Sequence, residues 1–294
     1  MSLLFVAFIW GATFVIVQNA ISFLEPHTFN TIRFLLAAII LFGWMIIFQR
    51  KQLLTINRNV IFAGLILGFW LFIGYAFQTM GLLYTSSSKA GFITGLSVVL
   101  VPIVSFLFFK YKIKPPAIVG IIVATAGLYI MTMSGQTSIN IGDVLVFICA
   151  IGFSLQIITT GIYTNKYPTL LLTTIQVFTV SLLSMVCSLF FEQWEAAFQT
   201  NVLFQGDVIF ALLITSVLAT ALSFFIQTYV QKYTSSTHTA LIFAMEPVFA
   251  ALTAYLWINE RMSINSWIGC ICILAGMILA ELPWKKEKSQ LHAT

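Results

Sequence analysis

The tetrapeptide YTSS occurs twice, within YTSSSKAGF at Tyr84–Phe92 and within YTSSTHTAL at Tyr233–Leu241, and the copies lie 149 residues apart in a chain of 294. The same offset brings Gln78 onto Gln227, and further identities follow without a gap on the C-terminal side of both stretches. A match that extends over several predicted helices indicates an internal repeat rather than a chance recurrence. We therefore interpret the chain as two related halves in tandem.

The composition indicates that most of the chain lies in lipid. Apolar residues make up 60% of the sequence, charged residues make up 8%, and the mean hydropathy is +1.01. About a quarter of the residues of a typical soluble domain are charged. A membrane-spanning helix needs about 20 mostly apolar residues. Ten such runs are present, at 3–22, 29–48, 60–81, 89–109, 116–133, 143–163, 169–191, 208–230, 238–258 and 264–282.

The loop charges predict the orientation of these spans, because Lys and Arg accumulate on the cytoplasmic side of a membrane. With the N-terminus in the cytoplasm, eleven Lys and Arg residues fall on the inner side, and Lys89 and Arg261 fall on the outer side. Five spans per half is an odd number, so the second half enters the membrane with the opposite polarity. We predict an all-α protein of the cell membrane with both termini cytoplasmic and ten transmembrane helices as two inverted five-helix repeats. These repeats cover 1–133 and 143–283, and a cytoplasmic tail covers 284–294.

Several functional classes lack the residues that they require. The basic residues lie in short loops between apolar runs, which argues against nucleic-acid binding. The cysteines have neither CxxC spacing nor a neighbouring His, so we expect no metal site and no disulfide framework. The sequence has no GxxxxGK[ST] loop and no HExxH motif, and we predict no cofactor and no enzymatic activity. The expected partners are the lipid bilayer and a small-molecule substrate, for a chain that acts as a monomer or a homodimer.

Polar side chains recur at helical spacing within the predicted spans. Such faces avoid lipid, and they line either a helix contact or a hydrated cavity. For a single Ser or Thr, helix packing is the stronger interpretation, whereas the large amides of Gln78 and Gln227 favour a cavity because each needs several partners. The candidates for a substrate cavity are Trp10, Thr13, Tyr75, Gln78, Thr94, Ser97, Gln156, Thr159, Thr220, Ser223 and Gln227.

Two charged residues lie inside predicted spans. Glu246 is followed by Pro247, which interrupts helical hydrogen bonding and is typical of a kinked helix beside a cavity. Its carboxyl group is interpreted either as a proton carrier or as a structural group bonded to its neighbours. Arg33 either extends to the membrane interface, pairs with an acid, or binds an anionic substrate group.

The chain resembles the drug/metabolite transporter superfamily, in particular its ten-helix EamA-type members. The stretches that carry the resemblance are WGATF at Trp10–Phe14, FNTIRFLLAA at Phe29–Ala38, the segment Gly74–Pro102, and MEPVFAALTAYLWINERM at Met245–Met262. The resemblance implies ten helices around a central cavity and the transport of amino acids, nucleosides, sugars or related metabolites. Arg33, Glu246 and Glu260 match positions at which the family usually has the same residue type, and Tyr111 departs from the pattern in the first half.

These observations together predict a secondary transporter that works by alternating access. We expect it to export a small polar metabolite such as an amino acid, with proton coupling as an additional hypothesis. A lipid flippase or scramblase, or a facilitative permease, is the alternative. A flippase would need a polar groove that opens to lipid rather than an enclosed central cavity.

Overall fold

The computed structural model describes residues 1–110, 113–132, 140–195, 205–257 and 263–281, and all of the regular structure in these ranges is helical. The all-helical prediction is therefore confirmed for the described residues. The first half contains α1 (Ser2–Ala20), α2 (Pro26–Phe48), a 3₁₀ turn (Arg50–Thr55), α3 (Arg58–Gly81), α4 (Ser87–Gly95), α5 (Ser97–Phe109) and α6 (Pro115–Thr132). The second half contains α7 (Ile141–Tyr163), α8 (Thr169–Phe191), α9 (Gly206–Ile214), a π-helical stretch (Thr215–Leu222), α10 (Ser223–Val230), α11 (Ser236–Phe243), α12 (Glu246–Trp257) and α13 (Ile264–Glu281).

Helix length and composition identify the elements that can cross a membrane. Seven stretches of the described chain are long and apolar enough, and a further two apolar helices, Pro115–Met131 and Ile264–Ala280, are shorter. The stretch from Ser236 to Trp257 is divided, because the helix stops after Phe243 and starts again at Glu246. The predicted cytoplasmic tail, 284–294, lies outside the described residues.

The side chains are distributed as expected for a protein whose outer surface contacts lipid. Large apolar side chains such as Phe190 and Leu256 are 78% and 76% exposed. The interior instead contains many buried hydroxyl and amide side chains, among them Thr160, Gln176 and Thr220. Because lipid offers no hydrogen-bond partners, polar side chains gain only by facing one another inside the helix bundle.

Glycine residues bring α6 and α13 into close antiparallel contact. A Cβ atom on Gly127 would lie 2.7 Å from the carbonyl oxygen of Gly269, and one on Gly276 would lie 2.6 Å from that of Gly120. Since the obstructing atoms belong to the backbone, they cannot move aside as a flexible side chain would. These two glycine pairs therefore set the distance between the two helices.

A carboxylate from the second half caps α2. Glu192, at the end of α8, accepts hydrogen bonds from the backbone N–H groups of His27 and Thr28, each at 2.7 Å, and from the Thr28 hydroxyl at 2.8 Å. The first N–H groups of a helix have no partner within it, and a negative charge there also interacts favourably with the helix dipole. This contact joins the start of α2 to the end of α8.

We predict that Gly127→Ala lowers the melting temperature of the purified protein, because the added methyl group meets backbone atoms of α13. Gly43→Ala is the matched control, since a Cβ atom there meets nothing within 4 Å. Alanine favours the helix by about 1 kcal/mol over glycine, so Gly43→Ala is expected to leave the melting temperature unchanged or raise it. The melting temperature of each variant is measured by heating the purified protein and monitoring the loss of folded protein by size-exclusion chromatography. Equal melting temperatures would contradict the close contact of α6 with α13.

Candidate functional site

A cavity lies at the centre of the bundle, between helices of both halves. Its empty volume, measured out to its opening, is about 750 Å³. The centre of a water molecule fits within about 60 Å³ of this volume. The lining residues are Trp10, Thr13, Phe14, Val17, Arg33, Tyr75, Gln78, Leu82, Gly91, Thr94, Gly95, Ser97, Phe153, Gln156, Ile157, Phe224, Gln227, Phe243, Glu246 and Pro247. The wall therefore combines aromatic rings, hydroxyl groups, three amides and two opposite charges.

Interrupted helices supply part of this wall. The break between α4 and α5 places Gly95 and Ser97 at the cavity, and the break before α12 places Glu246 and Pro247 there. The chain can approach closely at this second break because Gly11 of α1 has no side chain. A Cβ atom on Gly11 would lie 2.5 Å from the Glu246 carbonyl oxygen.

A buried network of amides forms one side of the site. The Gln231 Nε2 group donates to the Ile157 carbonyl at 2.9 Å, so the Gln231 Oε1 atom is left as an acceptor. Gln227 donates its Nε2 hydrogens to that atom at 3.2 Å and to the Gln156 Oε1 atom at 3.0 Å. The orientation of the Gln227 amide follows, and its Oε1 atom accepts no hydrogen bond from any described residue. The cavity wall thus contains a buried acceptor that lacks a donor.

Arg33 presents a positive charge that no acidic side chain of the described ranges neutralises. Its side chain is 3% exposed, and its Nε group donates to the Thr220 hydroxyl at 2.8 Å. The guanidinium carbon lies 4.7 Å from the ring centroid of Tyr75 and 5.2 Å from that of Phe34, distances at which the ring faces attract a cation. No ion pair joins Arg33 to an acidic residue in the described ranges. Buried charges are usually paired, so this guanidinium is suited to receive an anionic group.

Glu246 presents the opposite charge from α12. Its carboxylate lines the same cavity, and within the described part of the chain no ion pair or hydrogen bond is made to it. Arg33 and Glu246 therefore face one cavity without neutralising each other. This separation of a basic and an acidic side chain is the most distinctive electrostatic feature of the site.

Aromatic rings enclose the polar groups. The Trp10 indole donates from Nε1 to the Ala219 carbonyl at 2.7 Å, which fixes the ring at the cavity wall. Its centroid lies 4.9 Å from that of Phe243 and 5.3 Å from that of Phe224. Phe153 packs edge-on against Tyr75 at 5.1 Å. Apolar rings around the charges lower the local polarity, which strengthens electrostatic interactions within the cavity.

Most of the candidates from the sequence meet at this cavity. The structure brings together Trp10, Thr13, Arg33, Tyr75, Gln78, Thr94, Ser97, Gln156, Gln227 and Glu246. Within this group, the Gln78 amide donates to the Thr94 hydroxyl at 3.3 Å. Their role in substrate binding remains a prediction. Glu260 and Tyr111 lie outside the described residues.

Three candidates, Thr159, Thr220 and Ser223, do not line the cavity. Thr159 donates to the carbonyl groups of Leu155 and Gln156 in its own helix. The Thr220 hydroxyl accepts a hydrogen bond from the Arg33 Nε group, and the Ser223 hydroxyl donates to the Leu218 carbonyl five residues earlier. For Thr220 and Ser223, the prediction assumed regular α-helical spacing, whereas the π-helical stretch Thr215–Leu222 has more residues per turn and shifts the polar face. Thr159 lies in α7, outside that stretch.

The sequence analysis missed the aromatic lining and one buried ion pair. Phe153, Phe224 and Phe243 stand among the many phenylalanines of an apolar chain, so no pattern distinguished them. Lys89 was assigned to an outer loop, but it is 4% exposed and forms an ion pair with Asp143. Among the described residues, no group of three His, Cys, Asp or Glu side chains could hold a metal ion.

Comparison with known proteins relates the whole chain to transporters. It matches the EamA-like transporter family over residues 1–133 and again over 140–282. An uncharacterized transporter of Archaeoglobus fulgidus is 33% identical over 282 residues, which cover 96% of this chain and 85% of the relative. The uncharacterized transporter YoaV of Bacillus subtilis is 20% identical over 290 residues, 96% of each chain. A crystal structure of a protein that is 18% identical matches with a TM-score of 0.77 over 95% of both chains, which shows a shared fold.

We predict that Thr220→Val lowers the melting temperature, because the substitution leaves the buried Arg33 Nε group without its acceptor. A buried charged donor that loses its partner costs about 1–3 kcal/mol. Thr159→Val is the matched control, because this hydroxyl bonds only to its own helix. Thermal unfolding of both purified variants checks the prediction. A fall of equal size in the two variants would argue against a specific role for Thr220 in holding Arg33.

Proposed function

This chain belongs to the EamA-like transporter family, and on that premise we propose that it is a secondary transporter that exports a small polar metabolite, such as an amino acid, across the plasma membrane. Transport by alternating access requires a site that is exposed to each side of the membrane in turn. Transporters built from inverted repeats place this site between the repeats, near the membrane midplane. The central cavity, which is lined from both halves, is the proposed site.

The proposal includes ten spans in two inverted repeats, and the packing of α6 against α13 supports it. The 149-residue offset aligns Gly120 with Gly269 and Gly127 with Gly276. Exchanging the two halves therefore converts the contact between Gly120 and Gly276 into the contact between Gly127 and Gly269. A two-fold relation between inverted halves produces this reciprocity. The excess of Lys and Arg in the predicted inner loops supports cytoplasmic termini.

The single observation that carries the substrate class is the pair of opposite charges that share the cavity without contact. An anionic group of a substrate would accept hydrogen bonds from Arg33, and a cationic group would bind near Glu246. The unused acceptor on Gln227 offers a further place for an N–H donor. A zwitterionic metabolite supplies all three groups, and it would pair with Arg33 and with the Glu246 carboxylate at once. A lipid would instead place its acyl chains among these polar side chains.

The test is counterflow into proteoliposomes preloaded with an unlabelled amino-acid mixture, followed with the same mixture in labelled form. Empty liposomes are the control. Competition then compares a zwitterion with its analogues that lack the amino group or the carboxyl group. We expect the zwitterion to compete at concentrations about ten-fold lower than either analogue, since each analogue leaves one buried charge unpaired. Absence of counterflow would overturn the amino-acid assignment, and equal competition would overturn the zwitterion assignment.

We predict that Gln78→Ala and Gln227→Ala raise the KM for counterflow by about ten-fold, because each removes hydrogen-bonding groups from the cavity wall. Gln176→Ala is the matched control, because this amide is buried in the same network but does not line the cavity. The control is expected to lower the melting temperature without a comparable change in KM. If Gln78→Ala and Gln227→Ala lower only protein abundance, the proposed binding role of these amides is wrong.

We propose that Glu246 carries the coupling proton, because its carboxylate lines the cavity and is not held in an ion pair by any described residue. Glu246→Gln is then expected to abolish substrate movement driven by a proton gradient, while counterflow continues with a KM raised by about ten-fold, because the neutral amide no longer pairs with the cationic group of the substrate. In counterflow, the carrier crosses the membrane in both directions with substrate bound. This exchange therefore needs no net movement of protons. Both modes are measured in the same proteoliposomes, with and without an imposed pH difference. Equal loss in both modes would indicate a structural carboxylate instead.

A further inference from the structure

A buried ion pair joins the two halves of the chain at one end of the bundle. Lys89, in the first turn of α4, and Asp143, in the first turn of α7, approach to 2.5 Å between Nζ and Oδ2. Their side chains are 5% and 6% exposed. Lys89 belongs to the first copy of the repeated stretch, and Asp143 belongs to the first span of the second half.

Further polar contacts hold Asp143 in place and extend the junction. Its Oδ1 atom accepts a hydrogen bond from the Thr85 hydroxyl at 2.8 Å, and its Oδ2 atom accepts one from the backbone N–H of Asn140 at 2.9 Å. The Asn140 side-chain amide donates to the Tyr84 carbonyl at 3.0 Å. A Cβ atom on Gly142 would lie 2.9 Å from the Tyr84 Cβ atom, so the two backbones are in direct contact. These contacts hold the turn between α3 and α4 tightly against the start of α7.

The central cavity extends to residues close to this junction. Leu82, two residues before Tyr84, and Gly91, two residues after Lys89, both line the cavity. A path from the cavity to the membrane surface on this side would have to pass between the elements that the ion pair holds together. The ion pair therefore lies where the cavity would open to this side of the membrane, and this opening is closed in the structure.

The second copy of the repeat has the opposite environment. The 149-residue offset aligns Lys89 with His238, and His238 lines a separate cavity with about 630 Å³ of space for water. That cavity lies among the end of α7, the start of α6 and the residues around Tyr233, and it is also lined by Lys114 and Lys232. Equivalent positions of the repeat thus lie in a sealed junction in one half and beside an open cavity in the other.

We propose that the Lys89–Asp143 ion pair is a gate that holds the transport cavity closed at the Tyr84 end and separates when that end opens. The inference rests on the proposed alternating access, because only a carrier of this kind needs to separate its halves at one end. Removing one member of a buried pair leaves an uncompensated buried charge, which strongly destabilises the closed arrangement. When the mouth opens, water hydrates both ions, so the same change does not destabilise the open arrangement. Loss of one charge consequently shifts the population towards opening at the Tyr84 end.

The test measures access to the cavity from each face of the membrane. The full chain, with its four native cysteines replaced by alanine, carries Val17→Cys at the cavity wall, and a membrane-impermeant maleimide is applied to intact cells or to inside-out vesicles. Tyr84→Cys and Tyr233→Cys, whose native side chains are 57% and 72% exposed, identify the two faces in separate samples. We expect Lys89→Met and Asp143→Asn each to raise the labelling rate at Val17→Cys from the Tyr84 face by at least about ten-fold.

The exchanged pair, Lys89→Asp with Asp143→Lys, is expected to return the rate towards that of the parent. Lys232→Met, which removes an exposed charge at the other cavity, is the matched control and leaves the rate unchanged. Thr85→Val removes one hydrogen bond to Asp143 and gives a smaller increase, so the proposal stays testable if the charge variants do not fold.

An unchanged rate in folded single variants would overturn the gate, and so would an equal rise from both faces, which indicates general loosening. The labelling requires no substrate. A failure of counterflow in the parent would therefore overturn the proposed function separately from the labelling result.

Discussion

Lipid cannot hydrogen-bond to a polypeptide, and this constraint governs both the backbone and the side chains of the protein. Backbone N–H and C=O groups in the membrane must pair within helices, and all of the regular structure in the described ranges is helical. The same constraint drives polar side chains inward, where Gln156, Gln176 and Gln227 lie 2%, 0% and 1% exposed. The interior, which would be mostly apolar in a soluble protein, is consequently rich in amides and hydroxyls. These side chains can line a polar cavity without any additional helix or domain.

Helix interruptions are costly under this constraint, and their positions are therefore informative. The breaks at Leu96 and at Ala244–Met245 both adjoin the cavity, as does the π-helical stretch through its contact with Arg33. Irregular backbone is tolerated at membrane depth only where protein or a hydrated cavity supplies partners. The interruptions also provide places where a helix can change direction, and they lie beside the cavity.

Much of the architecture could be predicted from the sequence, because lipid makes hydropathy a direct indicator of helices. Polar residues at helical spacing located the polar part of the cavity lining, since a large amide such as Gln227 has few other sites inside a membrane protein. The π-helical stretch could not be foreseen, because Ser216, Thr220 and Ser223 have regular α-helical spacing in the sequence. The burial of Lys89 was also hidden, because a lysine beside serines at the end of an apolar run is typical of a loop.

In the proposed carrier, two inverted halves allow two states, and the departures from the repeat make the two states unequal. Two identical inverted halves would give equal mouths, and a carrier of this kind would open to each side with equal probability. Lys89 and His238 break this equality at one pair of equivalent positions, since only the first is held in the ion pair with Asp143. A buried ion pair stabilises closure only when both members are present, and a one-sided pair therefore acts on one mouth alone. On this proposal, the resting orientation of the carrier is set by a local difference between the halves, while the shared fold supplies the path between the two states.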